Sequence, residues 1–144
     1  MYVSDLLKVK GGDVVSVSPD QSLEEVVAIL SEARIGAVVV LEGRHIAGIL
    51  SERDIVRCLA SVGGDALARK AREAMTAEVV TCNLSETVEA MMQRMTDGKF
   101  RHLPVVDENG DIIGVISIGD VVRARVESYE AEARAMRDYV TAVG

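Results

Sequence analysis

Residues 48–54 read Gly48-Ile49-Leu50-Ser51-Glu52-Arg53-Asp54, and residues 114–120 read Gly114-Val115-Ile116-Ser117-Ile118-Gly119-Asp120. Each is a glycine and two apolar residues followed by Ser-x-x-Asp. That pattern suits an apolar strand ending in a hydroxyl and passing into a helix whose first turn carries a carboxylate. The two stretches lie 66 residues apart, and at the same spacing Val56-Arg57 falls on Val122-Arg123. Further upstream the spacing is 65: Val14-Val15-Ser16-Val17 falls on Val79-Val80-Thr81-Cys82. Leu23, Val26, Val27 and Leu30 likewise fall on Val88, Met91, Met92 and Met95. One inserted residue in the second hairpin accounts for the change of spacing. One supersecondary unit is therefore written twice.

Each unit predicts strand, helix, strand, turn, strand, helix. The two stripes follow i, i+3, i+4, i+7, the apolar face of a short amphipathic helix, and Ser22-x-x-Glu25 before the first predicts a capping box. Strands are predicted over Ala37–Leu41, Ile46–Leu50, Leu103–Val106 and Ile112–Ser117, with Glu42-Gly43-Arg44 and Asp107-Glu108-Asn109-Gly110 as turns. Asn-Gly between β-branched runs is a strong hairpin cue. These strands are apolar throughout, so both faces of each sheet need cover. A unit of about 50 residues covers its own sheet poorly. The expected fold is α+β: two pseudo-twofold-related β-α-β-β-α repeats packed sheet to sheet, plus a C-terminal helix. The expected divisions are an N-terminal segment 1–13, repeat 1 over 14–62, a linker helix over 63–78, repeat 2 over 79–126 and a helical extension over 127–144.

Composition narrows the function. The 144-residue chain carries a net charge of −7 and only four aromatic residues, Tyr2, Phe100, Tyr129 and Tyr139. An acidic chain without stacking residues is a poor candidate for nucleic acid. There is no run of 18 apolar residues, and the start MYVSDLLKVKGGD has no signal-peptide core, so neither membrane nor export is expected. Cys58 and Cys82 stand apart with no CxxC, which suits a reducing cytoplasm. No P-loop, metal-ligand spacing or nucleophile–base pair is present, so neither catalytic residues nor a metal are expected. Met91, Met92 and Met95 read as core filling.

The repeated G-h-h-S-x-x-D (h apolar), with Phe100-Arg101-His102-Leu103-Pro104-Val105-Val106-Asp107, resembles the signature of cystathionine-β-synthase (CBS) domains. The likeness covers residues 14–126, in tandem, as in stand-alone CBS pairs. It implies a regulatory, non-enzymatic module that binds an adenosine ligand (AMP, ADP, ATP, NAD(H) or S-adenosylmethionine) in clefts between the repeats and signals to a regulated protein. The residues allow that chemistry. A Ser at a helix start offers a hydroxyl and backbone N–H groups at a positive helix terminus, and the Asp can accept hydrogen bonds from ribose hydroxyls. Taken alone, Ser-x-x-Asp is also an ordinary helix cap.

Carried over residue by residue, the resemblance gives two nucleotide clefts. Cleft A combines Ser51, Arg53 and Asp54 with Thr81, Phe100, Arg101, His102 and Pro104, and Lys99 adds charge. Cleft B combines Ser117 and Asp120 with Ser16, Ile35, Gly36 and Ala37. Gly119 stands where cleft A has Arg53, and Gly36-Ala37 where it has Arg101-His102, so cleft A is expected to hold a phosphate more tightly. Val122, Val126, Tyr129, Ala133, Met136 and Val140 recur at heptad spacing, which together with the resemblance favours a homodimer. The alternative is a homodimeric scaffold whose clefts are degenerate and bind nothing.

Overall fold

The computed structural model describes residues 1–143. In order these form α1 (Val3–Lys10), β1 (Ser16–Val17), α2 (Leu23–Ala33), β2 (Ala37–Glu42), β3 (His45–Ser51) and α3 (Glu52–Val62). There follow α4 (Ala71–Ala74), α5 (Val88–Gly98), β4 (His102–Val106), β5 (Ile112–Ser117) and α6 (Ile118–Val143). The first sheet has the order β1-β2-β3, with β1 parallel to β2 and β2 antiparallel to β3. The second consists of β4 and β5, and a parallel bridge from Cys82 to Val105 stands where Val17 pairs with Val40 in the first. Both hairpins carry an irregularity at the same place, after Val40 and after Val105.

Helix ends repeat as faithfully. Ser22 caps α2 by accepting from the Glu25 N–H at 3.2 Å, and Thr87 caps α5 from the Ala90 N–H at 3.1 Å. The box expected at Ser22 is only half formed, because the Glu25 carboxylate turns outward to accept from the Gln21 amide at 3.0 Å. The C-caps Arg34 and Lys99 both sit in the left-handed region at φ 56°.

Two apolar cores result. Leu23, Val26, Leu30, Val38, Val40, Leu50 and Ile55 fill the first. Val88, Met91, Met95, Leu103, Val105, Ile116 and Val121 fill the second, so Met91 and Met95 are core side chains, while half-buried Met92 packs against them. The opposite strand faces are covered too, with Val39 and Pro104 buried outside both cores, as two facing sheets require.

Two features depart from the expectation. Residues 63–78 are not one helix. Gly63 adopts φ +69° and ends α3, a 3₁₀ stretch covers Gly63–Ala68, and only Ala71–Ala74 is α-helical before the chain extends. The N-terminal segment is also no appendage. α1 buries Val3 and Leu6 in the core of the second repeat, while α4 buries Ala71 in the core of the first. The two lead helices match with a spacing of 68: Val3 and Ala71 are both fully buried, and the bridges Tyr2–Thr87 and Ser22–Lys70 mirror each other. Each repeat is completed by the helix that precedes the other.

Candidate ligand-binding clefts

Cleft A forms where β3 passes into α3. The Ser51 hydroxyl accepts from the Asp54 N–H at 3.4 Å, and the Asp54 carboxylate accepts from the Ser51 N–H at 2.9 Å and its hydroxyl at 3.1 Å. This is a complete capping box, so the cap reading of Ser-x-x-Asp is realised. It does not exhaust the carboxylate. Oδ1 also accepts from the Thr76 hydroxyl at 3.2 Å and lies 3.6 Å from the Arg57 guanidinium, yet a carboxylate offers about four acceptor sites. Asp54 is 7% exposed, the only buried charged side chain among the described residues, and it borders a cavity of about 540 Å³.

That cavity gathers both repeats. Ser51, Glu52, Arg53, Asp54 and Arg57 come from the α3 start, Gly36 and Ala37 from the chain entering β2, and Ile49 from β3. Thr76, Glu78, Val79 and Val80 come from the segment after α4, and Gly98, Lys99, Phe100, Arg101 and His102 from the turn between α5 and β4. Arg53 reaches across the cleft to the Lys99 carbonyl at 3.3 Å. The walls are Ile49, Val79, Val80 and Phe100, and the N-terminus of α3 adds partial positive charge beside Arg53, Arg57, Lys99 and Arg101. His102 is pushed below the usual histidine range by burial and then by the Lys10 charge, with Asp120 and Glu52 opposing, so it is neutral at pH 7.

Several expected members lie elsewhere. Gly36 and Ala37 belong to cleft A, because Ala37 pairs with Ser51 across the hairpin and the Gly36 carbonyl accepts from the Glu52 N–H at 3.0 Å. Ser16 is exposed on β1 and Ile35 packs on the first core, so neither joins Asp120. Thr81 and Pro104 lie off the cavity. The Thr81 carbonyl accepts from Arg94 at 2.6 Å, and buried Pro104 gives its carbonyl to the Cys82 N–H at 2.9 Å. Burial, opposed by Arg94, pushes the Cys82 thiol up to about 11, so it stays protonated at neutral pH.

Around Asp120 the same box recurs, with the Ser117 N–H donating at 2.8 Å and the Asp120 N–H reaching Ser117 Oγ at 3.2 Å. Here, however, the carboxylate is already engaged. The Lys10 ammonium, from the end of α1, lies 2.6 Å from Oδ2 and also donates to the Val115 carbonyl, and Arg123 lies 2.6 Å from Oδ1. The adjoining cavity, about 480 Å³, runs between α1 and α6 through Met1, Leu6, Val9 and Glu127 and contains none of the four residues expected from repeat 1. The two clefts are unequal, as expected, but the main cause is Lys10. It lies in the stretch Lys8–Asp13, three residues longer than its counterpart Thr76–Glu78.

Burial pushes the Asp120 carboxyl up, but the Lys10 ammonium and the Ser117 N–H and hydroxyl outweigh it and hold the group below its ordinary range. A depressed carboxyl contributes stability that is complete above its unfolded value, about pH 4, and is lost as pH falls through the folded value. Asp120→Asn is accordingly expected to flatten the acid limb of the urea midpoint against pH below about pH 4, relative to wild type. Equal slopes in the two proteins would contradict this.

Among the described residues no group of three or more His, Cys, Asp or Glu side chains is placed to hold a metal ion, and no helix is long and apolar enough to cross a membrane. Two β-α-β-β-α units, each completed by the other's lead helix and flanking a cavity headed by Ser-x-x-Asp, define a tandem two-repeat module. The chain belongs to the CBS domain family, whose model matches residues 3–61 and 71–127. It is 34% identical to the mitochondrial CBS domain-containing protein CBSX3 of Arabidopsis thaliana, over 96% of this chain and 71% of that one. The crystal structure of the CBS-domain containing protein ATU1752 from Agrobacterium tumefaciens superposes with a TM-score of 0.83 at 47% identity, covering 87% of this chain and 99% of the other. The CBS domain protein PAE2072 from Pyrobaculum aerophilum, complexed with AMP, gives a TM-score of 0.74 at 28% identity, covering 83% and 89% of the two chains.

Proposed function

We propose that this protein is a non-catalytic sensor of adenine nucleotides, taking an adenosine 5′-phosphate of the AMP, ADP, ATP or NAD(H) class in cleft A and passing the change to a regulated protein. The observation that carries the reading is the meeting of Asp54 with Arg53, Lys99 and Arg101 around one cavity with apolar walls. Its volume of about 540 Å³ lies within the range of pockets for small organic ligands, and the relative PAE2072 holds AMP. In this reading the Asp54 carboxylate accepts the ribose hydroxyls and the base lies against Ile49, Val79 and Val80. Arg53 and Arg101, drawn from different repeats, share the phosphate. A ligand held by both repeats favours the arrangement in which they close on it, and that difference in affinity is what a partner protein would read. Free Cys58 and Cys82 fit a reducing compartment such as the cytoplasm.

Thermal unfolding with adenosine, AMP and GMP tests this. A ligand at about 100 times its dissociation constant adds about 2.7 kcal/mol, roughly 5–10 °C for a chain of this size. AMP is expected to raise the transition most, adenosine less and GMP hardly at all. Asp54→Asn should abolish the shift from both adenosine compounds, whereas Arg53→Ala with Arg101→Ala should bring AMP down to the level of adenosine. No shift with any adenine compound would leave the scaffold reading in its place.

A further inference from the structure

The second half of α6 leaves the body of the protein. From Tyr129 onward every described residue is exposed, so about fifteen residues of helix project without tertiary support. An isolated helix of that length is marginal in water. Its apolar residues nevertheless form one continuous seam: Val122, Val126, Tyr129, Met136, Val140 and Val143 are 49–71% exposed, with Ala133 between them. The spacing alternates 4 and 3 throughout, the a and d positions of a coiled coil, with Val126, Ala133 and Val140 at a.

The flanking charges say what covers the seam. Arg125 and Glu132 occupy g positions, and Arg123, Glu130 and Arg137 occupy e positions. In a parallel pair each g residue faces the e residue five positions on in the other helix. Glu132 would then meet the partner subunit's Arg137, and Arg125 the partner subunit's Glu130, opposite charges in both cases. In an antiparallel pair that sets Ala133 against the partner subunit's Tyr129, Glu130 and Glu132 would each face the same residue of the other copy, like charge against like. Arg125 already donates to Glu89 of its own chain at 2.9 Å, so Glu132 with Arg137 is the pair that sets direction.

We infer that α6 is the docking surface for a second copy of this chain, through a parallel, in-register two-stranded coiled coil over residues 122–143. This surface does not depend on the nucleotide reading: it lies outside cleft A and needs no ligand.

Cross-linking of the full chain tests it, on a Cys58→Ser background so that the only other thiol is buried Cys82. Val126→Cys and Val140→Cys, each alone, are expected to form disulfide-linked dimers under mild oxidation. Cross-linking of Val126→Cys only when it is mixed with Met136→Cys would show an antiparallel pair and overturn the inference. In sedimentation of the otherwise native chain, Glu132→Arg should raise the dimer dissociation constant roughly tenfold, and Glu132→Arg with Arg137→Glu should restore it. Failure of that rescue, or a monomer at about 100 µM, would also overturn it. These side chains are exposed, so unchanged circular dichroism and melting of the dilute variants will show that the fold is intact.

Discussion

Replacing Val3 and Leu6 together by alanine is expected to remove about 5 kcal/mol of stability, although both residues lie in the first ten of the chain. Val3 is 0% and Leu6 4% exposed, and they pack among Val88, Met91 and Leu103 of the second core. Truncating a buried leucine costs about 2–5 kcal/mol and a buried valine somewhat less, because the transfer energy and the cavity add. A domain of this size is stable by about 5–15 kcal/mol in total, so the double variant should be near unfolding. The location of the damage is diagnostic. Amide exchange should lose protection first in β4 and β5, whose sequence lies about a hundred residues away, and later in β2 and β3. Val9, 84% exposed on the same helix, is the control, and its replacement by alanine should change little. If the double variant unfolded within about 1 kcal/mol of wild type, α1 would not be part of the second core.

Gly48→Val is expected to cost about 3 kcal/mol and to open cleft A as well. A Cβ at Gly48 would lie 2.8 Å from the Thr76 carbonyl oxygen and 2.6 Å from Met75 Sδ. The methionine can turn away, but the carbonyl is backbone held in place by the paired bonds between Ile49 and Thr76, at 3.0 and 2.9 Å. The segment after α4 must therefore back off from β3, taking the Thr76 hydroxyl from Asp54. The counterpart, Gly114→Val, presses only on the flexible end of Leu7 and should be milder. Urea midpoints of the two variants, with AMP-induced shifts alongside, check the order. Equal losses in the two would show that the backbone contact at Thr76 is not what restricts Gly48.

The central architecture was legible because two levels of pattern agreed. Apolar stripes set the helices α2 and α5, hairpin residues set the turns, and the near-constant spacing forced each element to occur twice. The lead helices were harder to see. Val3-Ser4-Asp5-Leu6-Leu7 matches Ala71-Arg72-Glu73-Ala74-Met75 only in outline and at a third spacing, 68, and α4 spans only Ala71–Ala74. With residues 1–13 set apart only as an N-terminal segment, Lys10 could not be seen as the partner of Asp120. Gly36 and Ala37 were misplaced for a different reason. They were assigned across the molecule by the resemblance, whereas the hairpin register ties Ala37 to Ser51 of the same repeat. Local pattern identified the Ser-x-x-Asp boxes correctly, but what each carboxylate meets is set by long-range contacts.

The exchange of lead helices also bears on how the molecule is made. The Val3 N–H bonds to the Glu86 carbonyl at 2.9 Å, so α1, which is synthesised before both repeats, has no native seat until the second repeat has been made. Closing that distance is a long-range step, slower than forming local hairpins. During translation α1 must therefore wait with its apolar face unburied, and neither half severed from the other would inherit a whole core.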